Sequence, residues 1–268
     1  MGKLLKNIFV IGVVTVLAFV PERLIWAGQS TPPANRCSPS NTAEEIDYTS
    51  EASMRRSIEK LVKKEGAPRI IYALGKTSRP ALRWVLSQGV SPNVCVLGSS
   101  VLAISVVSGD LEQAQILIAA GAHPDKPSDS EGGTPLMLAL GMGHYNIARY
   151  LLGRGANTRL ATDGGTTSLH ELATSAALAN SSQAKRERQA LGSQLISKGA
   201  SVNTATLAGS TPLMLAVASG DDDLVALFLK HGADAHAKNQ RGRTAIDIAK
   251  QKQRDDIVKL LQEYGAKQ

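Results

Sequence analysis

Three groups of residues in this sequence have types that could carry chemistry. Gly75, Lys76 and Thr77 match the end of a phosphate-binding loop, but that loop needs a glycine five residues before Gly75, where the chain has Ile70. Ser168, His170 and Glu171 are the residue types of a hydrolytic triad. Residues two positions apart on a short helix face different ways, so these three cannot line up as nucleophile, base and orienting acid.

A third group combines imidazoles with a carboxylate. His231 and His236 flank Asp234 in a loop, which could hold a surface metal ion, but no cysteine or second cluster stands at ligand spacing. We therefore expect solvated loop residues there, no metal and no cofactor. The run Asp221–Asp223 is interpreted as the acidic first turn of a helix, where it favours the helix dipole. These patterns favour a protein that is not an enzyme; a reaction site assembled in an insertion or near the N-terminus is the alternative.

The elements that position these residues are short helices joined in pairs. In the stretch Gly132–Asn157, Thr134 before Pro135 predicts a helix start, because a hydroxyl caps the free amides and proline suits the first helical position. Gly141 and Gly143 predict its end. A second helix is predicted by apolar residues at 3.6-residue spacing, namely Ile147, Ala148, Leu151 and Leu152. Such a hairpin has an apolar stripe that needs a neighbour to cover it.

The neighbours are further copies of the same pattern. The hairpins close on glycines that lie 32, 34, 44, 33 and 33 residues apart along the chain: Gly89, Gly121, Gly155, Gly199, Gly232 and Gly265. This period of about 33, with a Thr-Pro-Leu start, a glycine in mid-repeat and a closing Gly-Ala, resembles the ankyrin repeat. His170 keeps the histidine of the family pattern, whereas Met137 and Met214 stand at its place in two other repeats.

The resemblance implies an all-α solenoid of about six helix-turn-helix repeats, of which the first and last are caps. The predicted repeats lie near 67–98, 99–131, 132–163, 164–206, 207–239 and 240–268. The fourth repeat is about ten residues too long, and we place its insertion at 175–189. Lys185, Arg186 and Arg188 make this insertion basic. We expect a solvated charged face there, with a partner contact as the alternative.

Three segments are predicted before the repeats. Residues 1–27 have the pattern of a secretory signal peptide: a basic start, an apolar run from Ile8 to Val20 and a small residue, Ala27, for cleavage. An uncleaved membrane anchor is the alternative. Residues 28–50 are rich in Ser, Pro, Thr and Asn and predict a flexible lead-in, and residues 51–66 predict an N-terminal capping helix. The sequence therefore predicts export to the periplasm, or a membrane-anchored domain that faces it.

Charge and cysteine content add two expectations. The formal net charge is +7, and removal of the leader, whose own charge is +2, would leave +5. That excess, without a basic patch interleaved with aromatic residues, does not predict nucleic-acid binding. Cys37 and Cys95 are the two cysteines, and an oxidising compartment favours a disulfide between them. The alternative is a small buried Cys95 with Cys37 as a free thiol.

The family resemblance also implies where a partner would bind. Ankyrin proteins in general bind other proteins with the concave side formed by the first helices and the loops between repeats. Matched to that pattern, the candidate partner-binding residues are Glu131, Met142, Asp163, Thr174, Leu207, Ser219, Arg241, Arg243 and Lys252. Met142 and Leu207 are candidates for the apolar centre of an interface. Ordinary solvated surface is the alternative for any one of them.

The function predicted from these features is that of a monomeric, exported bacterial ankyrin protein that binds another protein. Family resemblance implies an inhibitor or immunity-type role. A stress-related periplasmic scaffold and a membrane-tethered adaptor with an uncleaved leader are the alternatives. The identity of the partner does not follow from the residue pattern.

Overall fold

The computed structural model describes residues 79–96, 99–129, 131–178 and 181–265. All of them belong to a compact unit that runs from Asn35 to Gln268. The predicted signal peptide, lead-in and capping helix, and Cys37, lie outside the described residues. Cys95 lies among them, half-buried at the start of a short strand, and its pairing with Cys37 stays a prediction.

Short helices dominate the described ranges, which contain eleven α-helices in chain order. They are α1 (Arg79–Ser87), α2 (Val101–Val107), α3 (Leu111–Ala119), α4 (Pro135–Gly141), α5 (Tyr145–Gly153), α6 (Ser168–Thr174), α7 (Ser182–Ser197), α8 (Pro212–Ser219), α9 (Asp222–Lys230), α10 (Ala245–Gln251) and α11 (Asp255–Glu263). A 3-10 turn covers Ser175–Ala177, and two short antiparallel strands, β1 (Cys95–Val96) and β2 (Ser99–Ser100), precede α2.

The helices form two layers. The first helices of the hairpins, α2, α4, α6, α8 and α10, pack on one another in that order. The second helices, α1, α3, α5, α7, α9 and α11, pack in a parallel order, and each hairpin from α2–α3 to α10–α11 closes on itself. This arrangement confirms the predicted all-α solenoid. Every helix among the described residues is too short or too polar to cross a lipid bilayer.

The first helices begin where the sequence predicts. The Thr134 hydroxyl accepts a hydrogen bond from the Met137 amide at 3.3 Å, with Pro135 as the first helical residue. Thr211 and Met214 repeat this geometry, also at 3.3 Å. A cap of this kind stabilises a helix by about 1 kcal/mol, which matters for helices of only seven or eight residues.

Apolar side chains form the continuous core between the layers. Leu136, Leu140, Leu151 and Phe228 are fully buried. Burial of each such side chain contributes about 1.5–3 kcal/mol, and no single hairpin could bury its own stripe. The repeats therefore depend on their neighbours for stability.

Side chains in the loops after the second helices also join successive repeats, which the sequence analysis missed. Asn93 accepts from the His123 amide at 2.7 Å, Asp125 from the Asn157 amide at 2.8 Å, and Asn203 from the Asp234 amide at 2.8 Å. Each of these three acceptors stands four residues after a closing glycine. That fixed offset is the signal that could have found them.

His170 joins its repeat to the next one. Its Nδ1 accepts from the Thr167 amide at 3.1 Å, and its Nε2 donates to the Ser210 carbonyl at 3.0 Å. Met137 and Met214, at the corresponding positions, are buried to 3% and 2% exposure, so the apolar substitution keeps the packing. Burial lowers the pKa of His170 below its usual 6.5, although its bond to the Ser210 carbonyl acts in the opposite direction.

We expect His170→Met to lower the free energy of unfolding at pH 7.5 by about 1 kcal/mol, because both hydrogen bonds are lost. The lowered pKa means that below pH 6.5 the unfolded chain binds a proton that the folded chain does not. As pH falls from 7 towards 5, His170 therefore lowers the free energy of unfolding of the wild type. The His170→Met variant should show a smaller decrease over the same range. Urea denaturation at several pH values measures this. His236→Met, in an exposed loop, is the control, and an unchanged pH slope in His170→Met would contradict the prediction.

The insertion in the fourth repeat forms a turn and a helix extension. Ser175–Ala177 is a 3-10 turn, and α7 has 16 residues where α5 and α9 have nine. The predicted solvated face is wrong for Arg188, which is fully buried with its Nε 2.6 Å from Oδ2 of Asp221. The reason is that the helix extension directs this side chain towards the next repeat, where a buried carboxylate compensates its charge.

A buried polar network surrounds this ion pair. Arg188 Nη1 donates to the Tyr145 hydroxyl at 3.4 Å, and that hydroxyl lies 3.1 Å from the Ser175 hydroxyl. Asp221 also caps α9, because its Oδ1 accepts from the Leu224 amide at 3.1 Å. The predicted acidic first turn at Asp221–Asp223 is confirmed. Its first carboxylate additionally links the third, fourth and fifth repeats.

Candidate protein-binding surface

Four tight loops, here called the finger loops, precede the first helices, and their described residues are 128–129 with 131–133, 162–166, 206–210 and 239–243. A backbone bond closes each one, for example from the Thr162 amide to the Thr166 carbonyl at 2.9 Å and from the Asn239 amide to the Arg243 carbonyl at 3.0 Å. A side-chain oxygen at the start of each loop accepts from the amide four residues later. These pairs are Asp129–Gly133, Thr162–Thr166, Thr206–Ser210 and Asn239–Arg243.

Neighbouring finger loops are bonded to one another through the backbone. Asp163 donates its amide to the Glu131 carbonyl at 2.8 Å, and Leu207 donates to Gly164 at 2.8 Å. Gln240 donates to the Ala208 carbonyl at 3.0 Å. The four loops therefore form one continuous row, here called the finger ladder. Its internal bonds fix the order and spacing of the side chains that it presents.

The structure places the predicted partner-binding residues in two rows. Glu131, Asp163, Leu207, Arg241 and Arg243 lie on the finger ladder, where all but the half-buried Arg243 are exposed. The other four lie at the C-terminal ends of the first helices: Met142 follows α4, Thr174 ends α6, Ser219 ends α8 and Lys252 follows α10. Every one of the nine retains some solvent exposure.

Leu207 is the apolar side chain most exposed on the ladder, at 72%. Its backbone is held on both sides, by the Gly164 carbonyl and by the Gln240 side chain, which donates to the Leu207 carbonyl at 2.5 Å. A large apolar group on a fixed backbone loses little freedom when a partner covers it. Away from the ladder, Leu178 directly after the 3-10 turn is also exposed, to 65%, and the sequence analysis did not single it out.

Carboxylates gather at the first two fingers. Asp129, Glu131 and Asp163 belong to these loops, and Glu171 on α6 lies beside them. A β-carbon at Gly141 would collide with the Glu171 carboxylate, so this side chain lies flat on α4. Burial, and secondly the charge of Asp129, raise the pKa of Glu171. This end of the ladder is acidic.

Cations gather at the last finger and the helix that follows it. Arg241 and Lys252 are exposed, and Arg243 donates through Nη1 to the Gln251 side chain at 2.5 Å. Lys238 and Lys250 are also exposed. The charged side chains of the finger ladder are therefore acidic at its first two fingers and basic at its last finger.

Of the residues considered for chemistry, Gly75, Lys76 and Thr77 lie outside the described residues, and the others have the following contacts. Ser168 is fully buried, and the imidazole of His170 is bonded to Thr167 and Ser210. His231 and His236 are exposed, and Asp234 bonds the His236 amide at 2.8 Å. Within the described residues, no group of three His, Cys, Asp or Glu side chains stands close enough to hold a metal ion.

Comparison with known proteins identifies the repeated unit. A family model described as "Ankyrin repeats" matches the chain three times, over residues 69–162, 102–179 and 181–268. Together these matches cover well over half of the chain and include all of the helices described above.

Three similar proteins have different roles. Ankyrin repeat and SOCS box protein 16 of Homo sapiens is 28% identical over 232 residues, which are 84% of this chain and 51% of that protein. Phosphocholine transferase AnkX of Legionella pneumophila is 30% identical over 52% of this chain and 14% of its own length. Protein phosphatase 1 regulatory subunit 27 of Mus musculus is 40% identical over 68 residues, 25% of this chain and 44% of that protein. The chain thus spans about half the length of these relatives, or less.

Proposed function

Because the chain belongs to the ankyrin-repeat family, whose repeats serve protein–protein interaction, we propose that it binds a partner protein through its finger ladder and the ends of its first helices. The observation that carries this proposal is Leu207, an exposed leucine on a hydrogen-bonded backbone between an acidic and a basic group of side chains. Interfaces place apolar contacts at the centre and charges at the rim, and this surface has that order.

A binding role without catalysis agrees with the chemistry of the described side chains. Ser168 is buried and both ring nitrogens of His170 are hydrogen-bonded, so these two residues are not arranged as a nucleophile and a free base. The transferase relative matches over only 14% of its own length, so its activity is a property of that protein. The mouse relative is by name a regulatory subunit, which is a role compatible with binding alone.

We further propose that the protein is exported and acts in the periplasm as a monomer. The support for export is the sequence of residues 1–27. In that compartment a rigid binding surface suits an inhibitor or immunity-type protein, which needs only to cover its target. A stress-related scaffold and a membrane-tethered adaptor are the other proposals. Determining the first residue of the mature protein distinguishes the tethered form from the cleaved one.

A pull-down from an envelope extract tests the binding surface. We expect the double variant Met142→Glu with Arg241→Glu to recover at least about tenfold less partner, since it places a charge at an apolar contact and reverses one at the rim. The control is Lys230→Glu with Lys259→Glu, on exposed positions of α9 and α11, which should behave as the wild type. Equal recovery of every bound protein by both double variants would contradict the proposal.

A further inference from the structure

Several ion pairs between described residues lie in one layer of the fold. Seven pairs of opposite charges lie within 4 Å, and each joins side chains on the second helices or on the residues that cap them. They are Arg79–Asp110, Arg79–Glu112, Arg83–Glu112, Arg149–Glu187, Lys185–Asp222, Arg188–Asp221 and Arg254–Asp256. None of these seven pairs between described residues includes Asp129, Glu131, Arg241 or Arg243 of the finger ladder.

At the acidic end of the ladder, Asp129, Glu131 and Glu171 have no cation within ion-pair distance among the described residues. Asp129 uses its Oδ1 to accept from the Glu131 and Gly133 amides, each at 2.9 Å, so it is held in place by the loop itself. Burial, and secondly repulsion by the charge of Asp129, raise the pKa of Glu171. A cationic group from outside the chain would relieve this repulsion.

At the basic end of the ladder, the cations lack carboxylate partners among the described residues. Arg241, Arg243 and Lys252 have no carboxylate within ion-pair distance among the described residues, although Asp247 lies on the same helix as Lys250. The Asp247 carboxylate is instead bonded to the Thr244 amide at 2.8 Å and to the Thr244 hydroxyl at 2.7 Å. It is therefore engaged in capping α10.

From these two unmatched ends we infer that the partner presents a surface of ordered charge: a basic group against Asp129, Glu131 and Glu171, an apolar side chain against Leu207, and an acidic group against Arg241 and Lys252. This inference rests on the proposed function and specifies the chemistry of its partner. Charges of the same order on the partner would meet like charges, which costs binding energy and excludes such proteins.

The spacing of the partner's charges follows from the ladder. Three steps separate the first finger from the fourth, and packed helices lie about 10 Å apart. The two charged ends are therefore separated by about 30 Å, which an extended peptide spans with about nine residues. A second copy of this chain carries both charge types as well, so self-association is an outcome that the test must detect.

The experiment uses a displayed library of random 16-residue peptides selected on the purified protein. We expect enriched peptides to carry Lys or Arg at one end and Asp or Glu at the other, with apolar residues between. Arg241→Glu with Lys252→Glu should weaken such a peptide at least about tenfold. A peptide in which lysines replace the acidic residues at that end should bind this double variant with restored affinity. Lys230→Glu with Lys259→Glu, which makes the same change in net charge on the second helices, should leave affinity unchanged.

Three outcomes overturn the inference. Enriched peptides that lose binding in Leu207→Glu but show no order of charge would refute it and leave the proposed function standing. Peptides whose binding ignores every substitution on the ladder would refute both. Sedimentation that shows a dimer, dissociated by the same charge reversals, would assign the surface to a second copy of the chain instead of a foreign partner.

Discussion

Replacing Arg188 by alanine should lower the free energy of unfolding by about 3–5 kcal/mol, because Asp221 then keeps a buried charge without its partner. Both side chains are fully buried, and the two atoms of the ion pair lie 2.6 Å apart. The substitution also removes the bond to the Tyr145 hydroxyl, which joins the third repeat to this pair. Urea denaturation measures the loss.

Two control variants separate the buried charge from other effects. Lys185→Ala breaks the partly exposed pair with Asp222 in the same helix extension and should cost no more than about 1 kcal/mol. Arg188→Met with Asp221→Asn removes both charges and keeps a side chain that caps helices well, so it should be more stable than Arg188→Ala. A loss in Arg188→Ala as small as that in Lys185→Ala would show that the pair does not hold these repeats together.

Replacing Gly209 by alanine should destabilise the finger ladder by about 2–5 kcal/mol. Gly209 has φ +74°, which costs a residue with a side chain about 1–2 kcal/mol. Its β-carbon would also lie 2.9 Å from the Cα of Asn239 and from the amide nitrogen of Gln240. Because both neighbours are backbone atoms, the third and fourth fingers must move apart, which adds about 1–3 kcal/mol. Urea denaturation gives the loss of stability.

Gly242 supplies the matched control for this prediction. It has φ +71° at the corresponding position of the next finger, but a β-carbon there meets nothing within 4 Å. Gly242→Ala should therefore show the conformational cost alone. Partner binding should fall in Gly209→Ala and not in Gly242→Ala. Equal losses of stability and binding in the two variants would mean that the spacing of the fingers is unimportant.

The helical hairpins could be predicted from the sequence because their signals are local. A capping threonine such as Thr134, a proline after it and a glycine such as Gly143 act within a few residues of the chain. The inter-repeat bonds of Asn93 and Asn203 were missed, although their fixed distance from a closing glycine repeats along the chain. The role of this offset becomes evident only in the stacked repeats, because each bond joins one repeat to the next.

Arg188 shows why the insertion could not be predicted correctly. Its counter-ion, Asp221, lies 33 residues further along the chain. The sequence analysis placed Arg188 in a basic run and Asp221 in a separate acidic run, without a reason to pair them. Whether an arginine is buried depends on which carboxylate the fold brings to it. The candidate surface could likewise be predicted only in part. The exposure of Leu207 and Arg241 followed from the repeat pattern, but the hydrogen bonds that order the finger ladder form between repeats and could not be predicted from one repeat alone.

Hydrogen exchange of the protein with and without its partner, recovered by the pull-down described above, tests the central proposal most directly. We predict slower exchange in the four finger loops, and unchanged exchange in the second helices α3, α5 and α9. Slower exchange confined to those second helices, with the finger loops unaffected, would contradict it.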